Sequence, residues 1–360
     1  MTAARGPGRR LILDARTLQS RPPGGIGRTV RGALPHLVAS LDSVALLTDA
    51  RLPPPEGVPA GAEVYALRAP LPTGTAWLQL AAPRRLAGAA EGTVFHCPFY
   101  GLPFRLPVPG VVSLYDLTFL DHPEWFRALP RRAFRAQARH AARTAGAVIT
   151  GSETVAALVA ERLGVDRSRI VVAPPAVDDV FRRARPGTPG PRPYVVALGG
   201  APRRHLRVAV AAWRHAIRQG AEVDLVVVGT EPPPGPPDPH LRYAGVVDDS
   251  RLAELWAGAV AFVYPTRYEG FGLPAAEAAA CGTAVVCARV GALPEVLGPA
   301  ARWCDRPGAE ALAEGIAELA GDAARGAQLG ALGRERFCSG PGWDVMAAGW
   351  LDAYRLARPA

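Results

Sequence analysis

The chain has 360 residues, of which 49% are hydrophobic and 20% are charged, and its formal net charge is +9. This length is too great for one ordinary core and favours two domains of roughly 150–200 residues each. The 39 glycines and 37 prolines follow no fixed period, so they indicate many tight turns rather than a collagen-like or disordered chain. The five cysteines have no metal-ligand spacing and no apolar stretch approaches the roughly 20 residues of a membrane span, so we expect reduced thiols in a cytoplasmic protein.

Short apolar runs rich in β-branched residues recur along the chain, with helix-like segments between them. The first series of predicted strands comprises 11–13, 44–47, 94–96, 111–114 and 147–150. The second series, after a Pro/Gly-rich linker, comprises 194–198, 225–228, 261–264 and 284–287. Apolar runs that alternate with helices predict parallel sheets covered on both faces. We therefore predict an α/β protein with two doubly wound, Rossmann-like domains at 1–182 and 194–341, joined by a linker over 183–193.

The tail over 342–358 is predicted to be a helix. Its large apolar residues are three or four positions apart, which places them on one stripe: Trp343, Met346, Trp350 and Tyr354. Such a stripe is typical of a helix packed into a core, and we expect this helix to join the N-terminal domain.

One segment of the second domain has the pattern of an anion site. A strand is expected to end near Tyr264, and the loop after it carries Gly270 and Gly272. Pro274 suits the first turn of a helix, which should stop near Gly282. Backbone N–H groups converge at such a helix N-terminus, and the helix dipole adds positive potential.

The same segment carries two carboxylates, Glu269 in the loop and Glu277 in the helix. Carboxylates accept well from paired hydroxyls, so sugar and ribose diols are the natural ligands. Either residue taken alone would be interpreted as structural, because acidic residues are common in loops and near helix N-termini. The two together, flanking a glycine-bearing turn, indicate a functional site.

The segment 269–282 resembles the signature of glycosyltransferase family 4, E-G-F-G-L-P-x-x-E-A-x-A-x-G. The resemblance implies a GT-B fold, in which two Rossmann-like domains face a cleft, and a retaining reaction without a metal. It implies that Glu269 contacts the donor sugar and that Glu277 binds the ribose hydroxyls. The implied backbone contacts to the donor come from Gly270, Phe271, Gly272 and Leu273.

Further segments support the same resemblance. Arg203 and Arg204 follow a strand and a glycine turn, which suits a pyrophosphate; the family has P-R-K-N here, so His205 stands where its Asn is expected. The loop before the first long helix resembles the family's G-G-I-G-R-Y, which implies donor diphosphate contacts from Gly25, Ile26 and Gly27. The segment 243–249 resembles the loop that reads the nucleotide base, which implies a contact from Val247.

The segment 113–125 resembles the family's H-D-L-x-x-x-x-x-P. Asp116 is kept, but Tyr115 stands where the family has the His beside the reacting sugar. Three interpretations remain open: a variant that works through Tyr115, an altered donor or acceptor, or a weakened enzyme.

We therefore expect a hexosyltransferase, first of all a mannosyltransferase using GDP-mannose, with Glu269, Tyr115 and Asp116 at the reacting centre and no cofactor or metal. The acceptor would be a glycan, a lipid-linked sugar or a small molecule. A non-catalytic nucleotide-sugar binder is the alternative, and another GT-B enzyme, such as an epimerase or a phosphorylase, is disfavoured by the intact 269–277 string. The positive charge suits phosphorylated ligands, but no motif supports nucleic acid binding.

Four arginines lie at a spacing of four on a probable helix of the first domain: Arg131, Arg135, Arg139 and Arg143. A solvated face is the favoured interpretation of this stripe. A peripheral contact with the inner face of the cell membrane, or with an anionic acceptor, is the alternative.

Overall fold

The computed structural model describes residues 9–21, 24–125, 128–185, 192–200, 202–306 and 308–358. Two compact units make up the chain: Met1–Ala176 together with Gly342–Ala360, and Val177–Pro341. The chain thus enters the second unit earlier than the predicted boundary at 182. Phe181 explains the difference, because its side chain is fully buried in the core of the second unit. The predicted linker lies outside the described residues between 186 and 191.

The first unit is built on a parallel sheet. Its strands are β1 (Arg10–Asp14), β2 (Ser43–Asp49), β3 (Ala62–Leu67), β4 (Thr93–Cys97), β5 (Gly110–Ser113), β6 (Ala147–Thr150) and β7 (Ile170–Val172). Within the described residues they form a seven-stranded sheet in the order β3-β2-β1-β4-β5-β6-β7, and every pairing is parallel. The order reverses between β1 and β4, which is where α/β sheets ordinarily bind ligands.

Helices cover both faces of this sheet. They are α1 (Gly25–Ser40), α2 (Gly74–Ala76), α3 (Ala82–Leu86), α4 (Thr118–Asp121), α5 (Ala128–Thr144), α6 (Glu153–Leu163) and, from the tail, α14 (Trp343–Ala357). Successive strand residues point to opposite faces. Leu11 and Leu13 of β1 therefore pack in the core that contains α1 and α14, whereas Ile12 packs in the core that contains α3, α5 and α6.

The tail helix α14 belongs to the first unit. Met346, Trp350 and Tyr354 are buried in its core, together with α1 and the centre of the sheet. The stripe that periodicity predicts is therefore the face that packs against the sheet.

The second unit repeats the plan. Its strands are β8 (Tyr194–Leu198), β9 (Asp224–Val228), β10 (Leu241–Gly245), β11 (Ala261–Tyr264), β12 (Ala284–Ala288) and β13 (Ala301–Cys304). In the described part of the chain they form a six-stranded parallel sheet in the order β10-β9-β8-β11-β12-β13. Its helices are α7 (Asp179–Arg182), α8 (Leu206–Arg218), α9 (Asp249–Ala257), α10 (Leu273–Ala280), α11 (Leu293–Leu297), α12 (Ala309–Gly321) and α13 (Ala323–Cys338).

The structure confirms an α/β fold with two doubly wound, Rossmann-like sheets. All nine predicted strands are present. Four others were not predicted, namely β3, β7, β10 and β13, and each lies at an edge of its sheet within the described residues.

Candidate functional site

The loop between β11 and α10, together with the start of that helix, carries the largest group of predicted donor-site residues. Gly272 caps α10 with a φ of 91°, a left-handed backbone that favours glycine, and its carbonyl accepts from the Ala275 (2.9 Å) and Ala276 (3.1 Å) N–H groups. Pro274 occupies the first turn, where its missing N–H costs nothing. The predicted helix N-terminus is therefore formed, and its cap residue offers no side chain to the first amides.

Glu269 is buried in this loop, with 6% of its surface exposed. Its carboxylate accepts hydrogen bonds from Arg203 Nε (3.1 Å), Thr266 Oγ1 (3.3 Å) and the Tyr264 hydroxyl. Burial, and secondly the Glu269 charge, raise the pKa of Tyr264 far above its usual range, so the phenol keeps its proton and donates. The carboxylate is thus held in one orientation by three donors from the same unit.

The backbone of Glu269 is fixed as well. Its carbonyl accepts from the Ala292 N–H at 2.8 Å. Gly291 approaches the same carbonyl with a φ of 52°, and a Cβ at this position would collide with the Glu269 oxygen. Only glycine therefore permits this close approach of the two loops.

Glu277 lies in the second turn of α10 and is 5% exposed. Its carboxylate lies near the Cys281 thiol, whose pKa is raised first by burial and then by this charge. The helix dipole favours a carboxylate near the N-terminus. Both predicted carboxylates thus flank the start of α10, although both are largely buried.

The turn after β8 supplies the predicted arginines. Arg203 reaches Glu269, and Arg204 donates to the Gly199 carbonyl at 3.3 Å, while its Nε is buried without a hydrogen bond to any described residue. The Arg267 backbone N–H donates to the Arg203 carbonyl at 3.1 Å, which ties this turn to the β11–α10 loop. The two loops therefore form one structural element of the second unit.

Val247 lies in the loop between β10 and α9, half-buried against the core. The next residue, Asp248, caps α9 by accepting from the Arg251 N–H at 2.8 Å. Val247, Arg203 and Glu269 all follow carboxyl ends of strands in the same parallel sheet, so the topology places them along one edge.

In the first unit, Gly25, Ile26 and Gly27 form the first turn of α1, which follows β1. Gly24 caps this helix, and a Cβ on Gly24 would meet nothing within 4 Å. The helix N-terminus is thus accessible at the glycine-rich loop.

Tyr115 and Asp116 follow β5. The Tyr115 hydroxyl is buried, and burial raises the pKa of this phenol above its usual range, while the neighbouring Ser113 hydroxyl opposes part of the rise. The Asp116 carboxylate accepts from both the N–H (3.0 Å) and the hydroxyl (2.7 Å) of Thr118, which shapes the turn into α4. The Tyr115 hydroxyl therefore points into the interior of the unit, and the Asp116 side chain is engaged in the local turn with Thr118.

A buried polar cluster next to Tyr115 was not predicted. The His96 ring is hydrogen-bonded to Ser113 Oγ (2.8 Å) and to the Tyr354 hydroxyl of α14 (2.9 Å), and it lies edge-on to Trp350. Burial lowers the pKa of His96 to about 3, so the imidazole is neutral. No pattern in the sequence links residues 96 and 354, which is why the cluster was missed.

A second unpredicted cluster lies at the switch point of the first sheet. Asp14, the last residue of β1, is bonded by Arg16 through Nε (2.9 Å) and a terminal nitrogen (2.6 Å). The Arg16 guanidinium also donates to the Gly74 carbonyl (2.9 Å) and lies over the Trp77 ring. An Asp-x-Arg directly after an apolar strand was the signal that could have indicated this pair.

The two Rossmann-like parallel sheets give the chain a GT-B fold, which similar solved structures share. Family profiles agree in both units: one described as Glycosyltransferase Family 4 matches residues 23–181, and one described as Glycosyl transferases group 1 matches residues 192–322. Together the two profiles cover most of the chain and identify it as a glycosyltransferase of the group 1 and family 4 type.

Two kinds of relative illustrate the similarity. The chain is 31% identical over 250 residues to an MMP alpha-(1->4)-mannosyltransferase of Mycolicibacterium hassiacum, a match that covers 65% of this chain and 60% of the relative. The fold of this chain is similar to that of sucrose-phosphate synthase from Thermosynechococcus elongatus, with a TM-score of 0.75 and 20% identity; the match covers 96% of this chain and 98% of the synthase. It is also similar to Anabaena HepE in complex with UDP-glucose, with a TM-score of 0.68, 17% identity and coverage of 95% and 99%.

Proposed function

We propose that this protein transfers a hexosyl group from a nucleoside diphosphate sugar to an acceptor hydroxyl, with retention of anomeric configuration and without a metal. The observation that carries the proposal is the arrangement around α10: two carboxylates, two arginines and a helix N-terminus on adjoining loops of one unit. Such a site offers acceptors to sugar hydroxyls and positive potential to phosphates.

In the proposed reaction, the acceptor oxygen forms a bond to the anomeric carbon while the bond from that carbon to the diphosphate oxygen breaks. The acceptor proton passes to a phosphate oxygen of the leaving diphosphate. Arg203, Arg204 and the α10 N-terminus would stabilise the charge that develops on the diphosphate. Glu269, which three donors hold in one orientation, and Glu277 would bind hydroxyl groups and position the donor rather than transfer protons.

A mannosyl donor is the first choice, because the relative from Mycolicibacterium hassiacum is described as a mannosyltransferase. GDP-mannose is therefore the first donor to test. UDP-glucose, which is bound in the HepE structure, is the second.

We propose a cytoplasmic enzyme whose acceptor is a glycan, a lipid-linked sugar or a small molecule. Arg139 and Arg143 are exposed on α5, and Phe104, which is 57% exposed, contacts His140 of the same helix edge-on. Arginines beside an exposed aromatic ring suit peripheral contact with an anionic membrane surface. The side chain of Arg131 lies outside the described residues, and in the described residues no helix is long and apolar enough to cross a membrane.

Vesicle co-sedimentation tests this contact. Binding to anionic vesicles should weaken about fivefold for each of Arg139→Ser and Arg143→Ser, because one arginine near an anionic surface contributes about 1 kcal/mol. If both variants sediment with the vesicles as much as the unaltered protein does, the arginines form a solvent-exposed face and do not contact the membrane.

A non-catalytic nucleotide-sugar binder is the second candidate, and the buried Tyr115 hydroxyl is the observation that favours it. Measuring the release of nucleotide from GDP-mannose and UDP-glucose, with and without acceptor extracts, distinguishes the transferase from the binder. We expect turnover that requires an acceptor and is lost in Glu269→Ala. Donor binding without turnover under any of these conditions would favour the binder.

A further inference from the structure

Positive charge is concentrated on the two joined loops of the second unit. Arg203 is paired with Glu269, and Arg204 donates only to a backbone carbonyl among the described residues. The backbone of Arg267 is bonded to the carbonyl of Arg203, so its chain position adjoins the same turn. Three guanidinium groups therefore originate from one small region, which favours a ligand with more than one negative charge.

His205 lies where this region meets α8. Its φ is 46°, a left-handed backbone that, in the described chain, only one other non-glycine residue adopts. The His205 carbonyl accepts from the N–H groups of Val208 (2.8 Å) and Ala209 (3.3 Å), so the backbone begins the helix. The imidazole makes no capping bond and is half-buried, so the helix does not account for it.

Burial and a neighbouring positive charge both disfavour the protonated form of His205 in the free protein. Burial lowers the pKa of His205 below its usual range, and the positive charge of Arg267 lowers it further. Carboxylates on the neighbouring loops are engaged elsewhere, since Glu269 accepts from Arg203 and Glu231 accepts from the Gly200 N–H. An imidazolium here would therefore be stabilised chiefly by an anion that the protein binds.

We propose that His205 is a further contact for the donor diphosphate and that it takes up one proton from solvent when the diphosphate binds. The proposal rests on the proposed function, which places the diphosphate at Arg203 and Arg204. The proton adds to the free ring nitrogen of the imidazole, and no bond of the donor changes in this step. The resulting cation would supply a charge that the Asn expected at this position cannot supply.

Calorimetric titration of the full chain with GDP and with UDP tests the proposal. Titrations at about pH 6, 7 and 8, each in two buffers of different ionisation enthalpy, give the protons taken up per nucleotide. We expect the unaltered protein to take up close to one proton more than His205→Asn near neutral pH. The affinity ratio of the two proteins should grow by up to about tenfold per pH unit towards the acidic end, because the uptake of one proton changes affinity tenfold per pH unit.

The variant and its control are chosen to keep the fold. Asn adopts the left-handed backbone readily, so His205→Asn should fold as the unaltered protein does. His215→Asn is the control, because His215 lies on the same helix and is hydrogen-bonded to Gln219 at 3.0 Å. Titration of the nucleotide's own phosphates contributes equally to all three proteins and cancels in the comparison.

The outcomes separate this contact from the function on which it rests. Equal proton uptake by the unaltered protein and His205→Asn, with nucleotide bound by both, would overturn the contact alone. If neither GDP nor UDP binds the unaltered protein at any pH, the proposed function fails, and the contact fails with it.

Discussion

The polar residues at the carboxyl edges of the two sheets have different partners. In the second unit, guanidinium and hydroxyl donors hold the Glu269 carboxylate beside the N-terminus of α10. In the first unit, the Tyr115 hydroxyl is buried and the His96 ring is bonded within the core. One edge holds a carboxylate in a fixed position beside a helix N-terminus, whereas the polar residues of the other are bonded within the core.

The difference explains where the family pattern is kept and where it is lost. A carboxylate that binds sugar hydroxyls must keep its position, and the second unit retains the whole segment 269–282 around Glu269. At the first sheet, the predicted donor contacts come from the backbone at the start of α1. We infer that recognition of the donor depends chiefly on side chains of the second unit.

The strongest test of this comparison is Glu269→Gln. The amide keeps the shape of the side chain but removes the charge that pairs with Arg203 and that, in the proposed function, binds donor hydroxyls. We expect nucleotide release in the presence of acceptor to fall by about 10²–10³-fold, as when an organised polar contact is removed from an active site.

Glu254→Gln is the matched control, because Glu254 lies in the same unit in an exposed pair with Arg251. Exposed pairs contribute about 0–1 kcal/mol, so this variant should behave as the unaltered protein does. Turnover of Glu269→Gln at the level of Glu254→Gln would show that Glu269 is structural.

Gly291→Ala tests whether the position of Glu269 matters as well as its charge. The new Cβ would collide with the Glu269 carbonyl, and the φ of 52° is unfavourable for alanine. We expect a loss of about 1–3 kcal/mol of unfolding free energy and a raised KM for the donor. Gly326→Ala in α13, where a Cβ meets nothing within 4 Å, should instead stabilise the protein by about 0.5–1 kcal/mol. An unchanged donor KM in Gly291→Ala would show that the position of the Glu269 loop does not affect donor binding.

The contrasting role of the first unit predicts a pH dependence of stability. The pKa of His96 falls from 6.5 to about 3 on folding, so below pH 6.5 the unfolded chain binds a proton that the folded chain does not. Stability therefore falls as the pH falls from 6.5 towards 3, by about 1.4 kcal/mol per pH unit from this group.

Urea unfolding across this range measures the effect. His96→Gln should be less stable near neutral pH, because it breaks the buried bonds to Ser113 and Tyr354. Its unfolding free energy should, however, change less steeply with pH, by the amount that corresponds to about one proton. His36→Gln, at an exposed position of α1, should keep the slope of the unaltered protein. Parallel slopes for all three proteins would contradict a neutral buried His96.

The sequence predicted the centres of both sheets and missed their edges. Central strands are buried on both faces and appear as continuous apolar runs, such as β4 and β12, whose residues are all buried. Edge strands β3 and β10 are half exposed and carry charged residues, so they lack that pattern. Glycine and proline indicated α10, because Pro274 suits the first turn of a helix and Gly282 its end.

The directions in which individual side chains point could not be predicted from the sequence. The resemblance located Tyr115 after a strand, but which way its phenol points depends on Ser113, His96 and a helix more than two hundred residues later in the chain. The Asp14–Arg16 pair is local in sequence, yet its carbonyl partner Gly74 and the ring of Trp77 are not. Such contacts follow from tertiary packing and not from local pattern.

The smallest expected effect concerns Tyr115. If its hydroxyl belongs to the core of the first unit, Tyr115→Phe should lower turnover by less than about tenfold, which corresponds to 1.4 kcal/mol of barrier, and any loss should accompany a change in Tm. Tyr354→Phe provides the comparison, because it removes a hydroxyl that is bonded to His96 in the same cluster. A Tyr115→Phe protein with unchanged Tm and a loss of turnover close to that of Glu269→Gln would instead place the phenol at the reacting sugar. The hydroxyl would then have to leave its buried position during catalysis, and the contrast between the two sheets would describe the free enzyme alone.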